Sequence, residues 1–258
     1  MLNKRQKSML NLIEDHGDLS LQDLSQFFPD VSVMTLRRDL IQLEQNGHVL
    51  RTRGGVVSLK KLSEHPPIPG EENEYGLRAR TNIAAKNEIA KKALPLIKKG
   101  GSLYLDAGST VMALARLLPN EHFNIITNAT NIAQEIIDRT KISVVMLGGT
   151  LNRNTLSVSG PSAIASLDRI NIEMAFMSAS AFTLDTGFTV SNIYEAELKR
   201  KVISKAKKSV LLMDTSKIGI DLMYTLANLE DINMLITEAE TLPKEITLQA
   251  SEKKTEIL

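Results

Sequence analysis

Apolar residues recur along this chain at two different spacings, and the change of spacing divides it. Over the first sixty residues the spacing is helical. Met9, Leu12 and Ile13 share one face of a helix predicted over Lys4–Asp15, with Gly17 beyond its end. Leu21, Leu24 and Phe28 repeat the pattern. Ser20 stands before them with Asp23 three residues on, a capping pair that starts a second helix, and Pro29-Asp30 stops it. Ser32 caps a third helix, in which Val33, Leu36, Leu40 and Leu43 make the core stripe. His48–Thr52 and Val56–Leu59 then read as two short strands around Gly54-Gly55.

From residue 82 the pattern changes. Short, nearly continuous apolar runs appear at Ser102–Asp106, Phe123–Thr127, Ser143–Leu147, Met174–Met177, Ser209–Asp214 and Met234–Ile236. Helical patterns fill the gaps at Ala84–Lys99, Thr110–Leu118, Ile132–Arg139, Ala163–Asp168 and Tyr194–Lys205. Alternation of this kind predicts an α/β domain with a mostly parallel sheet covered on both faces. Between the two regions, residues 59–74 hold Pro66, Pro67, Pro69 and Gly70 with no apolar period, which predicts a linker. The expected organisation is a small helical domain with a hairpin at 1–58, the linker at 59–74 and the α/β domain at 75–258. The tail from about 241 is polar with one alternating piece.

Composition narrows the chemistry. Of 258 residues, 43% are hydrophobic and 24% charged, the ordinary globular range. The absence of cysteine excludes disulfides, thiolate metal sites and thiol nucleophiles, and it fits a reducing cytoplasmic setting. With only 4 scattered histidines, no metal and no cofactor is expected. No apolar run approaches the ~18 residues of a membrane span. A formal net charge of +1 excludes a bulk polycation, so any nucleic-acid contact must come from a local patch.

The third helix supplies such a patch. Opposite its core stripe lie Met34, Arg38, Gln42 and Gln45, with Thr35 and Arg37 on the flanks. Arginines in the opening turns of a helix oppose its dipole, so stability does not select them. Guanidinium forks do match guanine edges and phosphate oxygens. Arg51 and Arg53 stand near the hairpin tip. Ser32, Met34, Thr35, Arg37, Arg38, Gln42, Arg51 and Arg53 are therefore the candidate contacts to double-stranded operator DNA. Residues 1–61 hold nine basic and seven acidic side chains, so a protein-interaction module with a solvated arginine face is the alternative from these residues alone.

In the larger region, Asp106-Ala107-Gly108-Ser109-Thr110 reads as a strand running through a turn into a helix. Gly108 permits close backbone approach, Ser109 and Thr110 offer hydroxyls, and the free N–H groups of a helix start favour an anion such as phosphate. The segment is neither a P-loop nor a dinucleotide fingerprint. Thr127-Asn128 and Gly148-Gly149 close two further strands, and open α/β sheets bind ligands beyond the carboxyl ends of their strands. Glu195 and Lys199 share a helix face, either as an exposed ion pair or with Lys199 reaching a ligand anion. Lys217 either meets an anionic ligand or neutralises Asp106 or Asp214. A sugar-phosphate isomerase needs a carboxylate base, for which Asp106, Asp185 and Glu195 are available. It has no need of the arginines at 37, 38, 51 and 53, so no catalytic residue is expected.

Ser32-Val33-Met34-Thr35-Leu36-Arg37-Arg38-Asp39-Leu40 resembles the signature of the DeoR family of bacterial transcription regulators. Arg5, Met9 and Ile13 match its upstream part, and Arg53-Gly54-Gly55 resembles its wing. In the larger region Asp106-x-Gly-Ser-Thr, Thr127-Asn128, Gly148-Gly149, Gly160 and Asp214-x-Ser-Lys217 resemble the family's effector domain, and Arg78, Lys86, Ile89 and Ala90 fit its entry segment. The resemblance implies a winged helix-turn-helix whose third helix enters the major groove. It also implies a second domain similar in fold to ribose-5-phosphate isomerase and CoA transferases. A phosphorylated sugar or polyol would be the effector, repression of a catabolic operon the output, and a homo-oligomer (dimer or tetramer) the assembly. There is one departure. Where the family often has Gly-x-Asp-Gly after the fourth strand, this chain reads Ser178-Ala179-Ser180-Ala181, without the acid an isomerase would use.

Overall fold

The computed structural model describes residues 2–51, 55–58 and 75–258. The chain forms two compact units. One runs from the N-terminus through the hairpin and takes in Gly76–Ile83; the other holds Tyr75 and Ala84–Leu258.

In the small unit, α1 (Lys4–His16) starts at Asn3 in a reciprocal capping box with Gln6 and ends at Gly17, whose φ is 88°. β1 (Asp18–Ser20) leads directly into α2 (Leu21–Phe27), where Ser20 and Asp23 close a second capping box. Ser32 caps α3 (Val33–Gln45). β2 (Val49–Arg51) and β3 (Gly55–Ser58) then complete an antiparallel sheet of order β1-β3-β2. Met9, Ile13, Leu24, Leu36, Leu40, Leu43, Val49 and Val56 are its buried core.

Three features differ from the sequence expectation. Val33 is 46% exposed rather than in the core stripe. It is the first residue of its helix, and a helical side chain leans toward the N-terminus, here past the end of the packed face. Gly55 opens β3 and pairs with Ser20 of β1. Its missing Cβ leaves room for β1, whose Ser20 Cα would stand 2.9 Å from it. The sequence pattern sets residues 75–80 in the larger domain; the helix over them, α4 (Tyr75–Arg80), instead joins the small unit from Gly76 onward. Thr52, Arg53, Gly54 and the linker 59–74 lie outside the described residues.

The large unit begins with α5 (Ile83–Ala93), β4 (Ser102–Leu105), α6 (Ser109–Leu117), β5 (Phe123–Thr127), α7 (Thr130–Ile136) and β6 (Ile142–Met146). A hairpin of β7 (Thr150–Asn152) and β8 (Ser157–Ser159) precedes α8 (Pro161–Ser166) and β9 (Ile172–Met177). Next come β10 (Ala181–Thr183), β11 (Gly187–Val190), α9 (Ile193–Lys205), β12 (Ala206–Leu212), β13 (Tyr224–Ala227), β14 (Met234–Ile236), α10 (Lys244–Lys253) and β15 (Glu256–Ile257). Seven strands form one parallel sheet of order β15-β14-β12-β9-β4-β5-β6, and β10-β11-β13 form a small antiparallel sheet.

Alternating residues of the parallel strands serve opposite faces. Leu103, Leu105, Ile125, Phe176 and Val210 pack with Ile89, Val111 and Ile132 of α5, α6 and α7. Tyr104, Ile126, Ala175 and Met177 pack with Ala163, Leu198 and Val202 of α8 and α9. The topology matters for the site. The chain lays down β4, β5 and β6 in one direction, then returns to place β9 and its successors on the other side of β4. The strand order therefore reverses between β4 and β9, and such a reversal opens a crevice at the carboxyl ends of the two strands. Among the described residues no helix is long and apolar enough to cross a membrane.

Candidate nucleic-acid interface and effector site

The core side of α3 is sealed by Leu36, Leu40 and Leu43, and this turns the other side outward. Met34 is 69% exposed there, and Arg37, Arg38 and Gln42 are exposed beside it. Neither arginine has a hydrogen-bond or ion-pair partner among the described residues. Ser32 is spent on the helix start: its Oγ accepts from the Thr35 N–H at 3.2 Å and lies 2.9 Å from Thr35 Oγ1. Gln42 is tied to α1, accepting a hydrogen bond from Gln6 Nε2.

Asp39 sits next to the two arginines in sequence but faces the opposite way. It is buried, pairs with Arg5 Nε at 2.5 Å and accepts from Gln6 Nε2 at 3.0 Å, so it pins α1 to α3. The hydrogen bond to Asp39 raises the Arg5 pKa above its ordinary value. Glu44 gathers the second acidic contact. It accepts from Arg80 Nη1 at 2.7 Å and from the Arg51 backbone N–H at 3.1 Å, and Arg51 Nε lies 3.8 Å away. Arg51 is thus steadied at the end of β2, while Arg53 lies outside the described residues.

In the large unit the reversal point holds a buried polar cluster. Asp106, the residue after β4, is fully buried. Its Oδ2 accepts from the Ser178 N–H at 2.8 Å, from Ser178 Oγ at 2.7 Å and from Lys199 Nζ. Lys199 also donates to the Ser178 carbonyl at 3.0 Å and lies 3.2 Å from Glu195 Oε1. The Glu195–Lys199 pair therefore forms, but Lys199 is buried, which corrects its reading as an exposed surface pair. Sequence spacing fixes which helix face the two share; it says nothing about what covers that face. Asp106 Oδ1 is shut off from solvent and has no hydrogen-bond partner among the described residues.

Two residues further on, α6 starts at Gly108, which supplies no side-chain cap. Ser109 and Thr110 open the helix, both nearly buried, and their hydroxyls have no partner among the described residues. Gly108 was expected to admit a ligand to the backbone. It admits Ser178 instead, whose Cβ would stand 2.6 Å from a Cβ at 108.

Thr127 and Asn128 lie at the end of β5, but internal bonds occupy them. Thr127 Oγ1 donates to the Leu105 carbonyl at 2.6 Å and accepts from the Ala129 N–H at 3.0 Å. Asn128 accepts from Tyr104 Oη at 3.0 Å and donates to the Val158 carbonyl at 3.1 Å. Both fix the strand ends. Burial first, and then the charges of Asp106 and Glu195, push the Tyr104 hydroxyl well above its ordinary pKa, so it stays a neutral donor. Gly149 has φ 146°, and a Cβ there would stand 2.6 Å from the Ser159 carbonyl; it lets the chain enter β7 close against the end of β8, while Gly148 beside it faces open space. Lys217 Nζ reaches the Ala179 carbonyl at 2.8 Å, near the loop that follows β9.

Two residues of this region carry no sequence signal. Ser178 completes the Asp106 cluster from a loop that looked only like a departure from the family pattern. Asn131, in the first turn of α7, has both amide atoms closed to solvent and unpartnered among the described residues. Two cavities of about 410 and 250 Å³ lie elsewhere, one lined by Arg200, Thr225 and Asp231 and the other by Lys98, Glu173 and Lys208. Neither contains the cluster. No group of three or more metal-ligating side chains occurs among the described residues.

Residues 5–62 match the model of the DeoR-like helix-turn-helix domain, and residues 81–239 match that of the DeoR C-terminal sensor domain. The chain is 34% identical over 236 residues to the transcriptional regulator GolR of Listeria innocua, covering 91% of this chain and 90% of that protein. It is 31% identical to the transcriptional repressor GlcR of Bacillus subtilis, covering 91% and 88%. It is 30% identical to the L-fucose operon activator of Escherichia coli, covering 91% and 94%. Among solved structures it is similar to ribose 5-phosphate isomerase A from Methanocaldococcus jannaschii, at 21% identity and a TM-score of 0.40 over 54% of this chain and 55% of that one. The chain belongs to the DeoR family, and it is a DNA-binding transcription regulator rather than an enzyme.

Proposed function

We propose that this chain represses a sugar or polyol catabolic operon in the cytoplasm. It acts as a homo-oligomer on paired half-sites of double-stranded DNA, and a phosphorylated sugar or polyol controls it. α3 enters the major groove, Arg37 and Arg38 contact phosphates or base edges, and the hairpin carrying Arg51 and Arg53 reaches the backbone. The observation that carries this reading is the pair of exposed arginines, without a partner among the described residues, on a helix whose opposite side is sealed into the core.

The effector binds at the carboxyl ends of β4 and β9. Its anionic group sits on the uncapped start of α6 with the Ser109 and Thr110 hydroxyls. A sugar hydroxyl donates to Asp106 Oδ1, and the amide of Asn131 reads a second polar group. Burying these atoms without partners costs about 1–3 kcal/mol each, which a ligand's hydroxyls recover. Lys199 neutralises Asp106, so the site accepts an anion beside a carboxylate.

The test is fluorescence anisotropy with duplex DNA from the region upstream of the chain's own operon, across a salt series and with a panel of sugar phosphates. Affinity is expected to fall steeply with salt through counterion release. One sugar phosphate of the panel is expected to release the DNA and raise the melting temperature of the protein. A flat salt response refutes the phosphate contacts.

A further inference from the structure

The two edges of the parallel sheet are built differently. β15 is two residues long and begins with the charged Glu256. β6 runs for five residues, pairs along its whole length with β5, and has no strand on its other side among the described residues. The Leu147 N–H donates to the Thr127 carbonyl at 2.9 Å. Backbone groups alternate in direction along a strand, so those of Ser143 and Val145 also turn toward β5. Those of Ile142, Val144 and Met146 turn away from the sheet. The Ile142 N–H is taken by the Arg139 carbonyl at 2.9 Å, while the outward groups of Val144 and Met146 meet no partner among the described residues.

The side chains point the same way. Val145 is 42% exposed and Met146 37%. Ile137, in the turn before the strand, and Leu151, in the hairpin after it, are exposed large apolar residues as well. Ile142–Met146 contains no charge and no proline. Native edges are normally blunted by charge, proline, a bulge or shortness, and β6 has none of these.

We propose that β6 is an interface for a second copy of this chain, joining the two parallel sheets edge to edge about a twofold axis. Twofold pairing of a strand with itself is antiparallel. Centred on Val144, it sets Val144 against the second copy's Val144, and Met146 against the second copy's Ile142. The outward groups of Val144 then bond reciprocally, and the Met146 N–H meets the free Ile142 carbonyl. Lys141 falls opposite Leu147, so no like charges face each other across the seam. This register also explains why the strand is apolar end to end: each residue meets an uncharged one. A strand from an unrelated protein fits the same open groups but supplies no such self-matching register. The argument uses only the sheet edge and stands whether or not the effector reading holds.

Sedimentation equilibrium of the full chain tests it. The wild type is expected to sediment as two copies or a multiple of two. Val144→Pro removes only an outward N–H, so the bonds to β5 survive while the seam loses its central donor. Val145→Lys places a charge on a side chain that is already solvent-accessible. Each variant is expected to lower the mass by half or more, with an unchanged far-ultraviolet circular dichroism spectrum, while Leu248→Lys, on the exposed side of α10, leaves the mass unaltered. If Val144→Pro perturbs the fold, Val145→Lys decides alone. A monomeric wild type overturns the proposal, as does a folded Val145→Lys that retains the wild-type mass.

Discussion

Three consecutive residues of α3 divide between two roles. Arg37 and Arg38 are exposed and have no partner among the described residues, and Asp39 turns inward to hold Arg5 and Gln6. Charge counted along the sequence would cancel one arginine against Asp39; burial removes that cancellation, because the carboxylate's field is already spent on Arg5. Arg38→Ala is therefore expected to weaken specific DNA binding by about 1–3 kcal/mol, read by gel shift, with no change in melting temperature. An unaltered affinity takes Arg38 off the reading face. The buried Lys199–Asp106 pair behaves in the opposite manner. Lys199→Met leaves a carboxylate stranded in the core, and chemical denaturation is expected to show a loss of about 3–5 kcal/mol. Adding Asp106→Asn removes the stranded charge, so the double variant should be less destabilised than the two single losses combined.

At the level of elements, capping decides where the small unit's helices start. β1 ends at Ser20, and Ser20 is also the residue that starts α2, its side chain accepting from the Asp23 N–H at 3.0 Å while Asp23 accepts from the Ser20 N–H at 2.9 Å. Hydrogen bonding to the carboxyl by the Ser20 side chain first, and by the Ser20 backbone N–H second, holds Asp23 below its usual pKa. Ser20→Ala is expected to cost about 1 kcal/mol of stability in thermal unfolding. A folded pKa below the unfolded one means that the carboxylate's contribution is present at neutral pH and is lost as pH falls through the folded value. The alanine variant should therefore differ less from wild type in acid. Such capping signals, the 3.6-residue stripes and the continuous apolar runs made α1, α2, α3 and the central parallel strands legible in the sequence. The elements not foreseen were short or polar. β1, β7, β8 and β10 have three residues each, too few for an alternation to register. α10 buries Ile246 and Ala250, a stripe one turn long inside a polar tail. Motif reading reached Asp106 because the family pattern names it, and the four-residue spacing from Glu195 on one helix face reached Lys199. Motif reading also found Thr127 and Asn128 at a strand end, but a motif does not record where their hydrogen bonds go. Ser178 and Asn131 went unread because a lone polar residue in a loop or first turn has no periodic neighbours.

For the whole molecule, a ligand held at the ends of β4 and β9 changes DNA occupancy only by binding two states of the protein with different affinity. Linkage then makes the effect reciprocal: if the sugar phosphate weakens operator binding by some factor, the operator weakens sugar-phosphate binding by the same factor, typically about 5–150-fold. Calorimetric titration of the effector with and without operator DNA measures that factor from the opposite side to a gel shift, and the two values must agree. Ser109→Ala with Thr110→Ala removes the two hydroxyls at the start of α6 and touches nothing in the small unit's core. The double variant is expected to bind operator DNA as wild type does in the absence of effector, and to need much more sugar phosphate for release. Its lowered effector affinity should appear equally in both states, leaving the coupling factor itself unchanged. Retention of full wild-type effector affinity places the anion elsewhere. A changed factor at unchanged affinity makes the two hydroxyls part of the element that switches rather than of the pocket that binds.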